Sequence, residues 1–159
     1  KLSLLNVSLA AALVVAPAAF AATTADINVS ANVDNACSIT GGNLAFGLYT
    51  WEADKDQSMD LTVKCTTGAD YDVTLGDGLQ PASGQRKMSD GTNFLNYGLF
   101  SDTPGGTAWN AAAFVSATGN GGNQTHSVYG RIPAGQSTVP ASAGADYLDT
   151  VVATVVFTP

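Results

Sequence analysis

Apolar residues recur at every second position in short runs along this chain, and Gly, Asn, Asp and Ser separate the runs. That period places alternate side chains on opposite faces, so each run predicts a β-strand with one buried and one wet face. SMDLTVKC alternates Met59, Leu61, Val63 and Cys65 with Asp60, Thr62 and Lys64. DYDVTL sets Tyr71, Val73 and Leu75 on one face, and Gly76–Gly78 ends it with residues that accept positive φ. FLNYGLF does the same with Leu95, Tyr97 and Leu99, and Arg86 and Met88 suggest a short strand ahead of it. ACSIT puts Cys37 and Ile39 on one face before Gly41–Gly42 turns the chain into NLAFGLY. HSVYGRI predicts a strand ending at Pro133, and the stretch from Asp102 to Gln124 predicts loops with one or two short strands. Beyond the first 21 residues no long segment has helical period, so the pattern predicts an all-β sandwich or barrel.

Two runs stand apart. Ile27, Val29, Ala31 and Val33 alternate with Asn28, Ser30 and Asn32, ahead of the first core cysteine. The last run, DYLDTVVATVVF, is apolar on both faces: Val151, Ala153, Val155 and Phe157 on one, Leu148, Val152 and Val156 on the other. Such a strand calls for cover on both faces and a partner at each edge. The expectation is a fold that lacks its closing strand and carries a spare one in front.

The first 21 residues change the picture of where this fold operates. Lys1 precedes an apolar centre from about Leu9 to Val15, and Ala19-Phe20-Ala21 has the small-x-small pattern of a signal-peptidase site. The apolar run is short for a bilayer span, and Pro17 breaks the chain just beyond it. Residues 1–21 are therefore expected to be a cleaved export signal, leaving roughly 138 residues, enough for one domain with a real core. The expected product is an exported protein. Two cysteines, Cys37 and Cys65, then read as one disulfide closing a 28-residue loop, which the chain-entropy account values at about 3–4 kcal/mol. A metal pair is the alternative, but the single histidine, His126, is expected far off in a Gly/Asn loop.

The chain carries a formal charge of −7 with only 12% charged residues. An acidic chain without clustered Lys and Arg is a poor partner for nucleic acid. Enzyme chemistry has little to stand on, since no nucleophile motif accompanies His126. No catalytic residue, cofactor or metal is expected. Gly119-Asn-Gly121-Gly122 lacks the Lys of a phosphate loop, and Asp54 and Asp56 fall short of a calcium ligand set. Tyr71, Tyr97, Tyr129 and Tyr147 read as sandwich aromatics. Trp51 and Trp109 are expected in loops, where partial burial competes with a role in binding sugar or a surface.

The stretches CSIT, LAFGLYT, LTVKCTTGADYDVTLGDG, RKMSDGTNFLNYGLFSD, TAW, VYGRIPAGQ and DYLDTVVATVVF occur in order over nearly the whole chain after residue 21. With them the chain resembles the spore coat protein U domain family, which is also the fold of secreted pilins of archaic chaperone–usher pili. Asn110 after Trp109 departs from the family's usual Gly. The resemblance implies an incomplete immunoglobulin-like β-sandwich of pilin type, with residues 22–35 as an N-terminal donor strand and 36–159 as the sandwich domain. It implies a structural subunit of a cell-surface pilus (fimbrium) serving adhesion and biofilm formation. Its implied partners are a periplasmic chaperone, an outer-membrane usher and neighbouring copies or other pilus subunits, joined by strand addition into an open head-to-tail filament. Ile27, Val29, Ala31 and Val33 have the two-residue spacing for successive pockets of a groove. Val151, Ala153, Val155 and Phe157, with Ile39 and residues of DLTV opposite, are the expected groove lining. Two other readings are a self-complemented secreted coat or matrix protein, and a minor pilus subunit whose loops bind a surface or glycan.

Overall fold

The period-two runs pair into eight strands among the described residues of the computed structural model, which are 23–81, 84–141 and 146–158. They are β1 (Cys37–Thr40), β2 (Lys55–Cys65), β3 (Asp70–Leu75), β4 (Arg86–Ser89), β5 (Phe94–Phe100), β6 (Val115–Thr118), β7 (Asn123–Ile132) and β8 (Ala153–Phe157). Every pairing is antiparallel. One sheet has the order β1-β2-β7-β5-β4 and the other β6-β3-β8.

Two units can be distinguished, Lys1–Asn32 and Val33–Pro159. The proposed signal peptide lies outside the described residues. Residues 23–32 of the first unit form no regular secondary structure. Ile27 and Val29 are 86% and 89% exposed, and in the second unit Val33 is 83% exposed.

The inward faces of both sheets of the second unit meet in a shared core. Leu61, Val63 and Cys65 come from β2, Tyr71, Val73 and Leu75 from β3, Leu95, Tyr97 and Leu99 from β5, and Val128 and Ile132 from β7. These are the faces that the alternation marked. Cys37 and Cys65 stand opposite each other in register and are joined as a disulfide, which staples the four-residue β1 to β2.

Three features differ from the pattern. Trp109, expected in a loop, is among the most buried side chains, and its indole N–H donates to the Val73 carbonyl at 2.8 Å. A buried indole needs an acceptor, and the β3 carbonyl supplies it. His126 belongs to β7 and stands half-buried with Nε2 3.0 Å from the Tyr71 hydroxyl. β7 begins at Asn123 because the long β2 offers partners as far as Lys64. The last run forms a strand only over Ala153–Phe157. Upstream, Leu148 exchanges both backbone hydrogen bonds with Ser89 of β4, each 2.9 Å, so the segment crosses from one sheet to the other. Only one face of β8 is covered, and Val156 is 49% exposed on the other.

The turn after β4 depends on Asp90. Its Oδ1 accepts the Thr92 and Asn93 amides at 2.9 and 2.6 Å, and its Oδ2 accepts the Asn93 side chain at 3.0 Å. These donors, the Asn93 side chain first, hold the carboxyl at about 2. An unfolded Asp titrates near 4, so this contribution is complete above about pH 4 and lost as pH falls through about 2. A carboxyl-detected titration should give an inflection near 2 for Asp90; one near 4 would refute this capping.

Candidate binding groove

The disulfide and the strand crossover together leave the sandwich open along one side. The chain from Ile39 through Gly41, Gly42 and Leu44 to Phe46 forms one wall of a groove. The segment Tyr147–Val151 with Ala153 forms the other. The floor is core side chain: Leu61 of β2, Leu75 of β3, Tyr97 and Leu99 of β5, and Val128 of β7. The cavity is about 530 Å³. A second hollow of about 970 Å³ shares Leu44, Phe46, Met88, Tyr147 and Leu148 with it and runs on toward Trp51, Ile132 and Pro140.

Backbone groups line both rims. The Thr66 amide donates to the Ala36 carbonyl at 2.9 Å. In an antiparallel ladder neighbouring residues point their N–H and C=O to opposite sides, so Cys37 and Ile39 of β1 present theirs away from β2. On the other rim, Gly76 N–H donates to Val152 C=O at 2.8 Å and Thr158 N–H to Asp70 C=O at 3.0 Å. The same rule directs Ala153, Val155 and Phe157 of β8 away from β3. Both strands are sheet edges. Buried or shielded backbone groups need partners, so a trough with an apolar floor between two such edges has room for an extended segment.

The side wall is fixed by a polar cluster. Asp149 accepts the Tyr97 hydroxyl at 2.5 Å and the Leu79 and Thr150 amides at 2.7 and 2.8 Å. Burial, and then the Asp149 carboxylate, push the Tyr97 hydroxyl well above the usual tyrosine range, so it remains a neutral donor. Gly78 lies against this carboxylate at φ +84°, and a Cβ there would collide with it. Only glycine meets both demands without strain.

Of the expected lining, Ile39, Val151 and Ala153 face the groove. Val155 packs, half-buried, against the core in register with Val73, and Phe157 is 42% exposed opposite Tyr71; neither lines the groove. Pattern reading did not find Leu44 and Phe46, although their spacing in NLAFGLY was the available signal. Tyr97 was legible only as an inward aromatic of its strand, and nothing local marked Asp149.

The remaining candidates are placed elsewhere. Asp54 and Asp56 pair with Arg131 at 3.2 and 2.7 Å rather than with each other's ligand set. Among the described residues no group of three His, Cys, Asp or Glu side chains is arranged to hold a metal. Burial holds His126 below the ordinary imidazole range. Trp51 is 53% exposed beside the second hollow.

Comparison with known proteins agrees with this architecture. Protein U of Myxococcus xanthus is 37% identical over an alignment 179 positions long, which covers 99% of this chain and 98% of that protein. A chain in the crystal structure of a chaperone–tip adhesion subunit pre-assembly complex, from the archaic chaperone-usher Csu pili of Acinetobacter baumannii, superposes with a TM-score of 0.58 at 27% identity. The match covers 77% of this chain and 40% of that one. The two antiparallel sheets are thus an immunoglobulin-like sandwich of pilin type. The model of the Spore Coat Protein U domain matches residues 23–154, and with the fold just described this chain belongs to that family.

Proposed function

We propose that this chain is a structural subunit of a bacterial surface pilus, assembled by chaperone–usher donor-strand complementation and serving adhesion and biofilm formation. The observation that carries the reading is the groove between the free edges of β1 and β8, with an apolar floor of Leu61, Leu75, Leu99 and Val128. A complementary strand exists in the same sequence. Ile27, Val29 and Val33 are each more than four-fifths exposed and spaced to enter successive pockets of another subunit's groove. Burying an aliphatic side chain of this size contributes about 1.5–3 kcal/mol, so three of them with Ala31 hold a segment firmly.

Residues 22–35 are then the donor extension and 36–159 the accepting domain. Val151, Ala153 and Ile39 are the pocket walls, and Val155 and Phe157 offer backbone edge. A periplasmic chaperone fills the groove first, and the next subunit's extension replaces it at an outer-membrane usher. The kinship with a chain from a chaperone–tip adhesion subunit complex supports the chaperone step. The disulfide suits the oxidising compartments through which such a subunit passes on its way to the cell surface.

The test compares the full chain with one lacking residues 22–33, each expressed with its cognate chaperone. Unboiled samples on a denaturing gel should show a ladder for the full chain and none for the deletion, with thin fibres by negative stain only for the former. A stable monomer of the full chain, with no ladder and no need of a chaperone, would replace this reading with that of a self-complemented coat protein.

A further inference from the structure

The two sheets have four edges, and their fates differ. β1 and β8 flank the groove. β4 carries Arg86 and Lys87 and is bridged at Ser89 by Leu148. β6 is left. The Gly119 amide donates to the Ala69 carbonyl at 2.8 Å, which sets the ladder so that Val115 and Ala117 face β3 with their backbone groups. Phe114, Ser116 and Thr118 therefore present theirs outward. Among the described residues only the Thr118 carbonyl meets a donor there, Gln124 Nε2 at 3.0 Å. All three residues are exposed.

This edge also lies in an unusual stretch. From Thr103 to Gly130 there is no Asp, Glu, Lys or Arg, in a chain of net charge −7. Edge strands are normally kept apart by short length, charges, proline or bulges; Val115–Thr118 is short, but it has no charge and no proline. Copies of an acidic chain repel one another over most of their surface. β6 has no charge of its own, and the Asp72 and Asp70 carboxylates behind it on β3 accept the Ser116 and Thr118 hydroxyls at 2.6 and 2.5 Å, so this edge is where two copies can approach closely.

We infer that β6 is a self-association edge whose occupant is the β6 strand of a second copy, paired antiparallel about Ser116. The outward N–H and C=O of Ser116 exchange hydrogen bonds with their counterparts, and Phe114 of each copy lies opposite Thr118 of the other. A patch this short is a weak contact between two free subunits. The inference extends the pilus reading: repeated along a filament, weak contacts sum through effective concentration and tie fibres side to side.

The full chain carrying Ser116→Cys is oxidised with diamide and run boiled and non-reduced, beside Ser58→Cys, an exposed position near Lys55, Asp56 and Asp60. Directly opposed residues of a hydrogen-bonded pair lie within disulfide reach. A dimer band from S116C that thiol removes, absent from S58C, is the expected result. No dimer from S116C, or equal dimer from both, overturns the inference. Wild-type fibres should also lie in bundles that Ser116→Lys separates into single fibres at unchanged ladder; bundles that persist in S116K would overturn it as well. The unboiled ladder reports strand exchange separately, so S116C dimer without any ladder would refute the filament and leave the β6 pairing standing.

Discussion

Replacing Cys37 and Cys65 together by serine should lower the unfolding temperature of the full chain by roughly 10–15 °C. The bridge closes a 28-residue loop, and the chain-entropy account gives about 3–4 kcal/mol for that length. At this domain size each kcal/mol moves the midpoint by a few degrees. The effect should extend to the groove. β1 has only four residues, and its other edge faces the open side. Without the staple, Ile39 and the adjoining wall lose their anchor to β2. Calorimetry measures the first effect. The second should appear as a weaker ladder in the unboiled gel at a temperature where the variant is still folded. An unchanged midpoint would show that β1 is held by pairing alone.

A loss of similar size is expected for Arg86→Met. Arg86 is 6% exposed. Its Nε donates to the Gly76 carbonyl at 2.8 Å, and its Nη2 to the Leu75 and Trp109 carbonyls at 3.2 and 2.8 Å. One guanidinium thus bolts β4 of the larger sheet to the end of β3 in the smaller one and to the loop that delivers Trp109 into the core. Burial lowers its pKa, while nearby Asp77 and Asp149 act in the opposite direction, and an arginine stays charged throughout. Methionine keeps much of the stem volume but leaves three carbonyls without their donor. At about 1–3 kcal/mol for each unsatisfied buried group, with partial relaxation, the loss is roughly 3–5 kcal/mol. Lysine should not restore it, because a single ammonium does not reproduce the planar fork. Urea unfolding at unchanged slope measures the loss; a midpoint like that of wild type for R86M would refute the bolt.

Both predictions concern features of unequal legibility. The cysteine pair could be read from spacing and compartment, because export makes an even pair of thiols a bridge. Arg86 could be read only as a member of a short strand. Its three acceptors lie 10, 11 and 23 positions away in sequence, and no local rule names them. The same division runs through the groove. The unusual apolarity of the last strand was legible, and Val151 and Ala153, with Ile39 on the wall opposite, were named as groove lining; all three border the cavity in the structure. The remainder of the opposite wall, Leu44 and Phe46, looked like any alternating run. Asp149 looked like an ordinary surface acid, yet it accepts Tyr97 and fixes the segment where the chain changes sheets.

What the sequence determined by itself is what depends on neighbours along the chain. Period-two alternation assigned the inward faces of β2, β3 and β5, since a strand's geometry decides which side each residue faces whatever it pairs with. Glycine content and turn residues placed the breaks, and cysteine spacing with the leader pattern pointed to the bridge. Tertiary structure decided which residues stand across from one another. It took Trp109 into the core, where Val73 offers an acceptor, and it put His126 on β7 beside Tyr71. It began the last strand only at Ala153, because Leu148 upstream found Ser89 in the other sheet. It left β1, β8 and β6 as edges, since whether a strand has one neighbour or two depends on the path of the whole chain and not on the strand's own residues.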